Sequence, residues 1–544
     1  MERPTISKCC AAALLAAALA APSPARAADP PDGPRPPAAA DAAAPATPAP
    51  TLAPPATPAP ATPPPSSAAP EAGERPSFIH IVLDDWGYYE WAGMGHGRLH
   101  TPRIDRFAAE GMRFTQILAG GAVGAASRSA LLTGRHTGHT ALRSNRRRRQ
   151  LRDADVTIAE VLRGAGYATA GFGKWGVGDR GTSGAPERQG FELFFGYYHP
   201  LHAITPFPRY LVKNGEIVPQ PGNGNGILRG AAFSHAVLLR AAKDWLRAQA
   251  GRPFYLYLPW TPPHGLWGLP KDDPAWQRFR DIGWNVPGEY TRSDAQRYAA
   301  LLAVADRSIG EVLDLLGELG IADSTLVILS GDNGGHSYFR NRRHPAGFFA
   351  PNVDPKTGAR FRGGKGSLYE GGLRIPFLAR WPGRIQAGAV SGHLGYLPDV
   401  LPTLAALAGA ETPPQADGIS LLPTLLGAAE GEQRQHRYLY WEDDRAGEKK
   451  RLIAVRMGEW KALRTPRRLG FSHRWWLYHL GEDPGEQNDL SRHRPEVLAS
   501  LRALAEEAHQ PPQNGEVLDS KQAFGASRTG RVLKALRRWF VRWL

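Results

Sequence analysis

Two apolar runs in the sequence end in residues able to do ionic chemistry. Phe78-Ile79-His80-Ile81-Val82-Leu83 runs into Asp84-Asp85, and the run from Thr325 to Leu329 leads into Asp332-Asn333. Three carboxylates and an amide offer only oxygen donors, a set that hard cations, Ca²⁺ or Mg²⁺, prefer and zinc does not. Singly, such residues cap helices or make turns. Their weight comes from what stands around them. The only cysteines, Cys9 and Cys10, lie in an apolar N-terminal stretch. With that stretch removed on export the chain has no thiol, which excludes disulfides, zinc–thiolate sites and a cysteine nucleophile.

Basic and histidine residues follow other runs. Gly173-Lys174-Trp175 comes after Tyr167 to Gly171, His264 after Phe254 to Leu258, and Lys365 shortly before Glu370-Gly371-Gly372. Among them lies Gly124-Ala125-Ala126-Ser127-Arg128-Ser129-Ala130-Leu131-Leu132-Thr133-Gly134-Arg135. This segment resembles the sulfatase signature: Cys or Ser, any residue, Pro or Ala, Ser, Arg, two variable residues, then Leu-Leu-Thr-Gly-Arg. Thr101-Pro102-Arg103-Ile104-Asp105-Arg106, Asp332-Asn333-Gly334-Gly335-His336 and Trp381-Pro382-Gly383 extend the likeness from about Pro76 to Asp489. Their order and spacing resemble arylsulfatase-like members of the alkaline phosphatase superfamily. The resemblance implies that Asp84, Asp85, Asp332 and Asn333 hold a calcium ion, with Mg²⁺ as the other hard cation. It also implies that Arg128, Lys174, His264 and Lys365 bind a sulfate and its leaving-group oxygen, with His336 at the substrate pocket; His202 in Tyr198-His199-Pro200-Leu201-His202 reads either as lining that pocket or as a surface or core histidine. Cations and a metal aimed at the peripheral oxygens of a sulfuryl group stabilise its transfer. His264 is a candidate general acid toward the departing oxygen.

The chain departs from this pattern at two positions. In sulfatases the first signature residue becomes formylglycine, whose hydrate attacks sulfur; here it is Gly124, which has no side chain to oxidise, so no formylglycine is expected. The family's histidine after Gly-Lys-Trp, which assists at the aldehyde hydrate, is Gly176. Neither Ser127 nor Ser129 re-registers the signature, because Leu131 and Thr133 stand where the required arginine belongs. A metal-bound water beside Gly124 is the remaining nucleophile, and Ca²⁺ activates water less than Zn²⁺ does, so slow chemistry is expected. The first reading is an arylsulfatase-like sulfuric ester hydrolase with weak or altered catalysis. The alternative is a noncatalytic pseudo-sulfatase that binds sulfated ligands. A superfamily phosphohydrolase or phosphotransferase needs Thr or Ser where Gly124 stands.

These residues need elements to position them. Strand runs alternating with helical patterns, such as Thr157 to Ala165 and Asp294 to Leu319, predict an α/β domain over 76–430. Its expected form is a large, mostly parallel sheet sandwiched by helices, with ligands at the carboxyl ends of the strands. Over 431–510, the segments His436 to Glu442, Leu452 to Leu463 and Trp475 to Leu480 predict a small antiparallel sheet, with a helix near Glu496 to Ala508.

The flanks read differently. Arg3, Lys8, the Ala/Leu run from Ala11 to Ala21 and Ala25-Arg26-Ala27 form a signal-peptide pattern over 1–27. The Pro/Ala/Thr-rich stretch 28–75 reads as an extended linker. In the tail, 511–544, a helical wheel puts Val532, Leu533, Leu536, Trp539, Phe540 and Trp543 opposite Arg531, Lys534, Arg538 and Arg542, which suits an anionic membrane surface, the alternative being a terminal helix docked on the chain's own domain. The formal charge of +15 favours anionic partners. Arg146-Arg147-Arg148-Arg149 reads either as a solvated loop or as a rim that attracts polyanions. The expected partner is a sulfated small molecule or glycan, and nucleic acid is not expected. The expected location is the periplasm or the extracellular space, with membrane association through the tail.

Overall fold

In the computed structural model the described residues are 75–512, apart from 146–148, 225–227, 250, 285, 287–292, 430 and 467–472. The expected signal peptide, nearly all of the linker, three of the four clustered arginines and the tail helix lie outside the described residues. Among the described residues no helix is long and apolar enough to cross a membrane.

Ten strands form the large sheet: β1 (Ser77–Asp84), β2 (Met112–Leu118), β3 (Ala168–Lys174), β4 (Leu193–Tyr197), β5 (Tyr210–Lys213), β6 (Glu216–Pro219), β7 (Phe254–Pro263), β8 (Thr325–Gly331), β9 (Phe377–Arg380) and β10 (Ala389–Tyr396). Their order is β10-β2-β9-β8-β1-β7-β3-β4-β5-β6. The centre, from β8 through β1, β7 and β3 to β4, is parallel throughout. β9 runs antiparallel between β2 and β8, and β5 and β6 add an antiparallel edge.

Every residue of β1 is buried, because both faces of the sheet are covered. Alternate β1 side chains enter opposite cores, Ile79, Ile81 and Leu83 on one face, Phe78 and Val82 on the other. The helices α1 (Pro102–Glu110), α2 (Gly124–Thr133), α3 (Ile158–Gly164), α4 (Ser234–Arg247), α5 (Asp294–Glu318) and α6 (Val400–Ala408) supply the covering layers. From α5, Tyr298, Leu302 and Ile309 join the first core; Leu131 and Leu132 of α2 and Leu401 and Leu404 of α6 join the second. Helix α2 stops at Gly134, whose φ of 66° is the left-handed conformation that ends helices.

The second sheet is antiparallel, β11 (Leu439–Asp443), β12 (Leu452–Met457), β13 (Trp460–Pro466) and β14 (His473–His479), packed under the helix α7 (Pro495–Glu507). The segment expected as one run, Leu452 to Leu463, is a hairpin that turns at Gly458 (φ 58°). A buried ion network ties this sheet to the large one. Lys461 Nζ lies 2.9 Å from Glu370 Oε1 and 2.9 Å from Glu486 Oε1, with no solvent access to any of the three side chains. Burial, with the Glu370 charge adding to it, pushes Glu486 up to about 7. Burial also opposes ionisation of Glu370, but Lys461, Arg374 and Arg456 outweigh it and hold that carboxyl far below its usual range. Lys461→Met leaves two buried carboxylates without their shared cation, so a loss of about 3–5 kcal/mol in unfolding free energy is expected in urea titrations.

Candidate active site

The site is assembled by the parallel register. Leu83 of β1 pairs with Gly331 of β8, so the residues that follow, Asp84-Asp85 and Asp332-Asn333, emerge side by side. Asp85 leaves the strand with φ of 63°, a conformation costly for a residue with a side chain. Its backbone N–H donates to Asp332 Oδ1 at 3.0 Å, and Asn333 Nδ2 donates to Asp85 Oδ1 at 2.8 Å, which holds the turn.

Around these acids stand the expected cations. Lys174, the last residue of β3, pairs with Asp84. Lys365 Nζ lies 2.6 Å from Asp85 Oδ1. Arg128, one turn into α2, reaches Asp332 Oδ2 at 3.1 Å and Asp84 Oδ1 at 3.9 Å, and donates to the Lys174 carbonyl at 3.2 Å. His264, just past β7, places Nδ1 3.4 Å from Asp84 and Nε2 3.7 Å from Asp85. All of the acids and Arg128 are buried.

The acids suit a divalent cation. Asp84, Asp85 and Asp332 each offer an oxygen within 4.8 Å of the others. Asp84 Oδ1 and Asn333 Oδ1 are buried with no hydrogen-bond partner among the described residues. Unmet acceptors cost free energy, and a hard cation coordinated by all four side chains meets them. Without it, burial and the neighbouring Asp84 charge push Asp332 up to about 7. Asp84 and Asp85 are also opposed by burial, yet stay far below the usual carboxylate range, Asp84 chiefly through His264 and Lys174, Asp85 chiefly through Lys365 and His264. Burial lowers His264 and His336 to about 4, so both rings are neutral at pH 7.

Both departures from the signature face this cluster. A Cβ at Gly124 falls 3.0 Å from Asp332 Oδ2 and 3.9 Å from both Arg128 Nε and Asn333 Oδ1. A Cβ at Gly176 falls 3.9 Å from Arg128 Cδ and Lys174 Cε, and the backbone there has φ of 81°. The two glycines therefore flank the Arg128 side chain.

His336 lies against the acids, its ring stacked on Tyr338 at 4.1 Å. His202 packs between Tyr197 (5.0 Å) and Tyr210 (4.4 Å), and burial lowers it to about 4. A second imidazole–carboxylate group, His136, His139 and Asp417, follows α2. Its hydrogen bonds account for it: Asp417 accepts the His136 backbone N–H at 2.9 Å and lies 2.9 Å from His139 Nδ1, while His136 Nδ1 accepts from Gly138.

Sequence reasoning missed Tyr338 and Asn145. Tyr338 donates its hydroxyl to Asp85 Oδ2 at 2.6 Å, and Asn145 Oδ1 accepts the Ala125 N–H at the start of α2 at 3.0 Å. The one available signal was Tyr338's place two residues beyond Asp332-Asn333-Gly334-Gly335-His336. Groups that orient a metal ligand commonly matter to affinity about 10–100-fold. Tyr338→Phe should weaken Ca²⁺ binding by that factor in calorimetry, with far-ultraviolet circular dichroism unchanged.

Acids and cations gathered at the carboxyl ends of a mostly parallel sheet, with a small antiparallel sheet attached, define an α/β protein with a candidate cation site. The chain belongs to the sulfatase family of sulfuric ester hydrolases: the sulfatase pattern matches residues 76–410, and that of the N-sulphoglucosamine sulphohydrolase C-terminal region matches 363–510. It is 32% identical to human (Homo sapiens) arylsulfatase A over 507 residues, covering 84% of this chain and 90% of that one. It is 30% identical to N-acetylgalactosamine-6-sulfatase of Canis lupus familiaris, covering 80% and 85%. Among solved structures, Ps i-CgsB in complex with k-i-k-neocarrahexaose shares the fold with a TM-score of 0.67 at 24% identity, covering 86% of this chain and 99% of that one.

Proposed function

We propose that this chain is an exported arylsulfatase-like protein that binds a sulfated small molecule or glycan together with Ca²⁺ or Mg²⁺ and hydrolyses it weakly. The observation that carries the proposal is the close assembly of Asp84, Asp85, Asp332 and Asn333 with Arg128, Lys174, Lys365 and His264, beside a nucleophile position that is Gly124. Relatives named for aryl and amino-sugar sulfates support the sulfated-ligand class. When bound, the ion supplies positive charge to the sulfuryl oxygens. Arg128, Lys174 and Lys365 orient the sulfuryl group and share its charge as the bond to the leaving oxygen lengthens. His264, neutral at pH 7 without ligand, donates a hydrogen bond to that oxygen, and the sulfate's charge raises its proton affinity, so that more of the imidazole carries the proton that the leaving oxygen takes. With no side chain at 124, water is left as the attacking group, which keeps turnover slow.

The second reading, a noncatalytic binder of sulfated ligands, is favoured by the paired loss of side chains at Gly124 and Gly176 around an otherwise filled site. p-Nitrophenyl sulfate separates the two. Hydrolysis that depends on Ca²⁺ and disappears in Asp84→Ala supports the weak hydrolase. Binding without hydrolysis supports the binder, and absence of both overturns the sulfated-ligand assignment. Membrane association is proposed for the tail: deleting 531–544 should leave the melting temperature unchanged and reduce cosedimentation with anionic vesicles, most visibly at low salt.

A further inference from the structure

We infer that Glu90 is a positioning residue for the cation site: by accepting the Gly87 N–H it holds the turn that carries Asp84 and Asp85 at the spacing from Asp332 and Asn333 that one divalent cation requires. This rests on the proposed cation site and adds to it a residue that is not a ligand.

The four ligands come as two pairs from two turns, one after β1 and one after β8. Within the strands, the pairing of Leu83 with Gly331 sets their register. Beyond the strands, the turns meet backbone to backbone at Gly87 and Gly335. A Cβ on Gly335 would fall 2.7 Å from Gly87 Cα, and a Cβ on Gly87 would fall 3.1 Å from Gly335 Cα and 2.5 Å from Pro351 Cβ. Only glycine permits so close an approach. The position of Gly87 therefore sets how far apart the two ligand pairs stand.

Glu90 fixes that position. Its Oε2 accepts the Gly87 N–H at 2.8 Å, and its backbone N–H donates to the Gly87 carbonyl at 3.0 Å. Trp86 Nε1 donates to the Glu90 carbonyl at 2.8 Å, which closes the loop over the carboxyl group. On the far side, the Tyr298 hydroxyl of α5 donates to Glu90 Oε1 at 2.7 Å. Trp86, Glu90 and Tyr298 have no solvent access, so the turn is tied to the longest helix of the core. Such anchoring is needed because Asp85 has φ of 63°, a conformation that persists only where its surroundings over-determine it. The contacts that Asp85 makes with Asp332, Asn333, Tyr338 and Lys365 all use ligand oxygens, for which a cation competes. Glu90 takes none of those oxygens, so its hold on the turn is the same with the site empty or filled.

Shape rather than charge does this. No salt bridge joins Glu90 to a cation among the described residues, and burial pushes it up to about 8. A glutamine can present its oxygen to the Gly87 N–H and its amide N–H to Tyr298, whose hydroxyl accepts as well as donates.

Calorimetry with Ca²⁺ on the full chain, below each variant's melting temperature, tests the inference. Glu90→Ala should bind Ca²⁺ at least ~10-fold more weakly than the parent, the scale on which groups that orient metal ligands act. Glu90→Gln should bind close to the parent, and Tyr298→Phe, which frees one end of the carboxyl group, should fall between the two. Parent affinity in a folded Glu90→Ala overturns the inference and leaves the cation site standing. Where the alanine variant does not fold, parent affinity in Tyr298→Phe overturns it instead. A loss in Glu90→Gln as large as in Glu90→Ala overturns the hydrogen-bond basis of the positioning. A parent chain that binds no Ca²⁺ overturns the cation site itself.

Discussion

Gly124→Cys, produced together with a formylglycine-generating enzyme, should hydrolyse p-nitrophenyl sulfate at least ~100-fold faster than the parent, since loss of a nucleophile in a hydrolase costs several powers of ten. The structure supports the substitution. Gly124 is the first residue of α2 and its backbone is outside the left-handed region, so a side chain is accepted without strain. Its Cβ is tight only against Asp332 Oδ2 at 3.0 Å, which a shift of a few tenths of an ångström relieves. The aldehyde forms beside Arg128 and the acids, where the resemblance places the attacking hydrate. Restoring the second lost position is less simple. Gly176 has φ of 81°, and a histidine there pays about 1–3 kcal/mol in backbone strain. Gly124→Cys should therefore carry most of the gain, and adding Gly176→His should lower the melting temperature even where it assists. Mass spectrometry first establishes conversion of the cysteine. Conversion with Ca²⁺ still bound and no hydrolysis shows that the pocket has diverged, and the binder becomes the better reading.

The parts of this site that could be read from sequence share one physical property. β1, β3, β7 and β8 are central strands covered on both faces, so each appears as an unbroken apolar or small-residue run with its functional residue at the end. The flanking strands lack that mark. β10 alternates between half-buried and exposed positions through Ser391, Gly392 and His393, and β5 and β6 are four residues each around Asn214-Gly215. Their strand character comes from pairing with distant neighbours, which no local pattern reports. The same holds at the site. Oxygen ligands and basic residues announce their chemistry by type, but the hydroxyl of Tyr338 reaches Asp85 only because the loop after β8 folds back over the end of β1. The left-handed backbone at Gly176 is equally silent in sequence, and it changes what a histidine there can achieve.

Asp332→Asn should reverse sign in its effect on stability between chelator and Ca²⁺. In chelator the three acids crowd one another: burial and the Asp84 charge push Asp332 up to about 7, so its ionised form is held at a cost near neutral pH. An asparagine removes that charge while keeping an oxygen for the Asp85 N–H, a contact that Asp332 makes at 3.0 Å; its amide N–H turns toward Arg128, which keeps the Lys174 carbonyl at 3.2 Å and Asp84 Oδ1 at 3.9 Å. The metal-free variant should therefore melt at or above the parent's temperature. The sign follows from linkage: a carboxyl whose folded-state affinity for protons is raised destabilises the fold as pH rises past its unfolded value, so the variant's advantage grows from pH 5 to pH 8. With Ca²⁺ the order reverses. A ligand bound by the folded state alone stabilises it by an amount set by concentration over dissociation constant, so the parent gains and a variant short of one charged ligand gains little. In calorimetry the loss of affinity should exceed the ~10–100-fold expected for Tyr338→Phe, because a coordinating charge is removed and not merely its support. Asp332→Ala should bind Ca²⁺ as poorly and also melt lower in chelator, since it leaves the Asp85 N–H and Arg128 without their acceptor and frees the strained turn at Asp85. Equal Ca²⁺ stabilisation of parent and Asp332→Asn would remove Asp332 from the cation site.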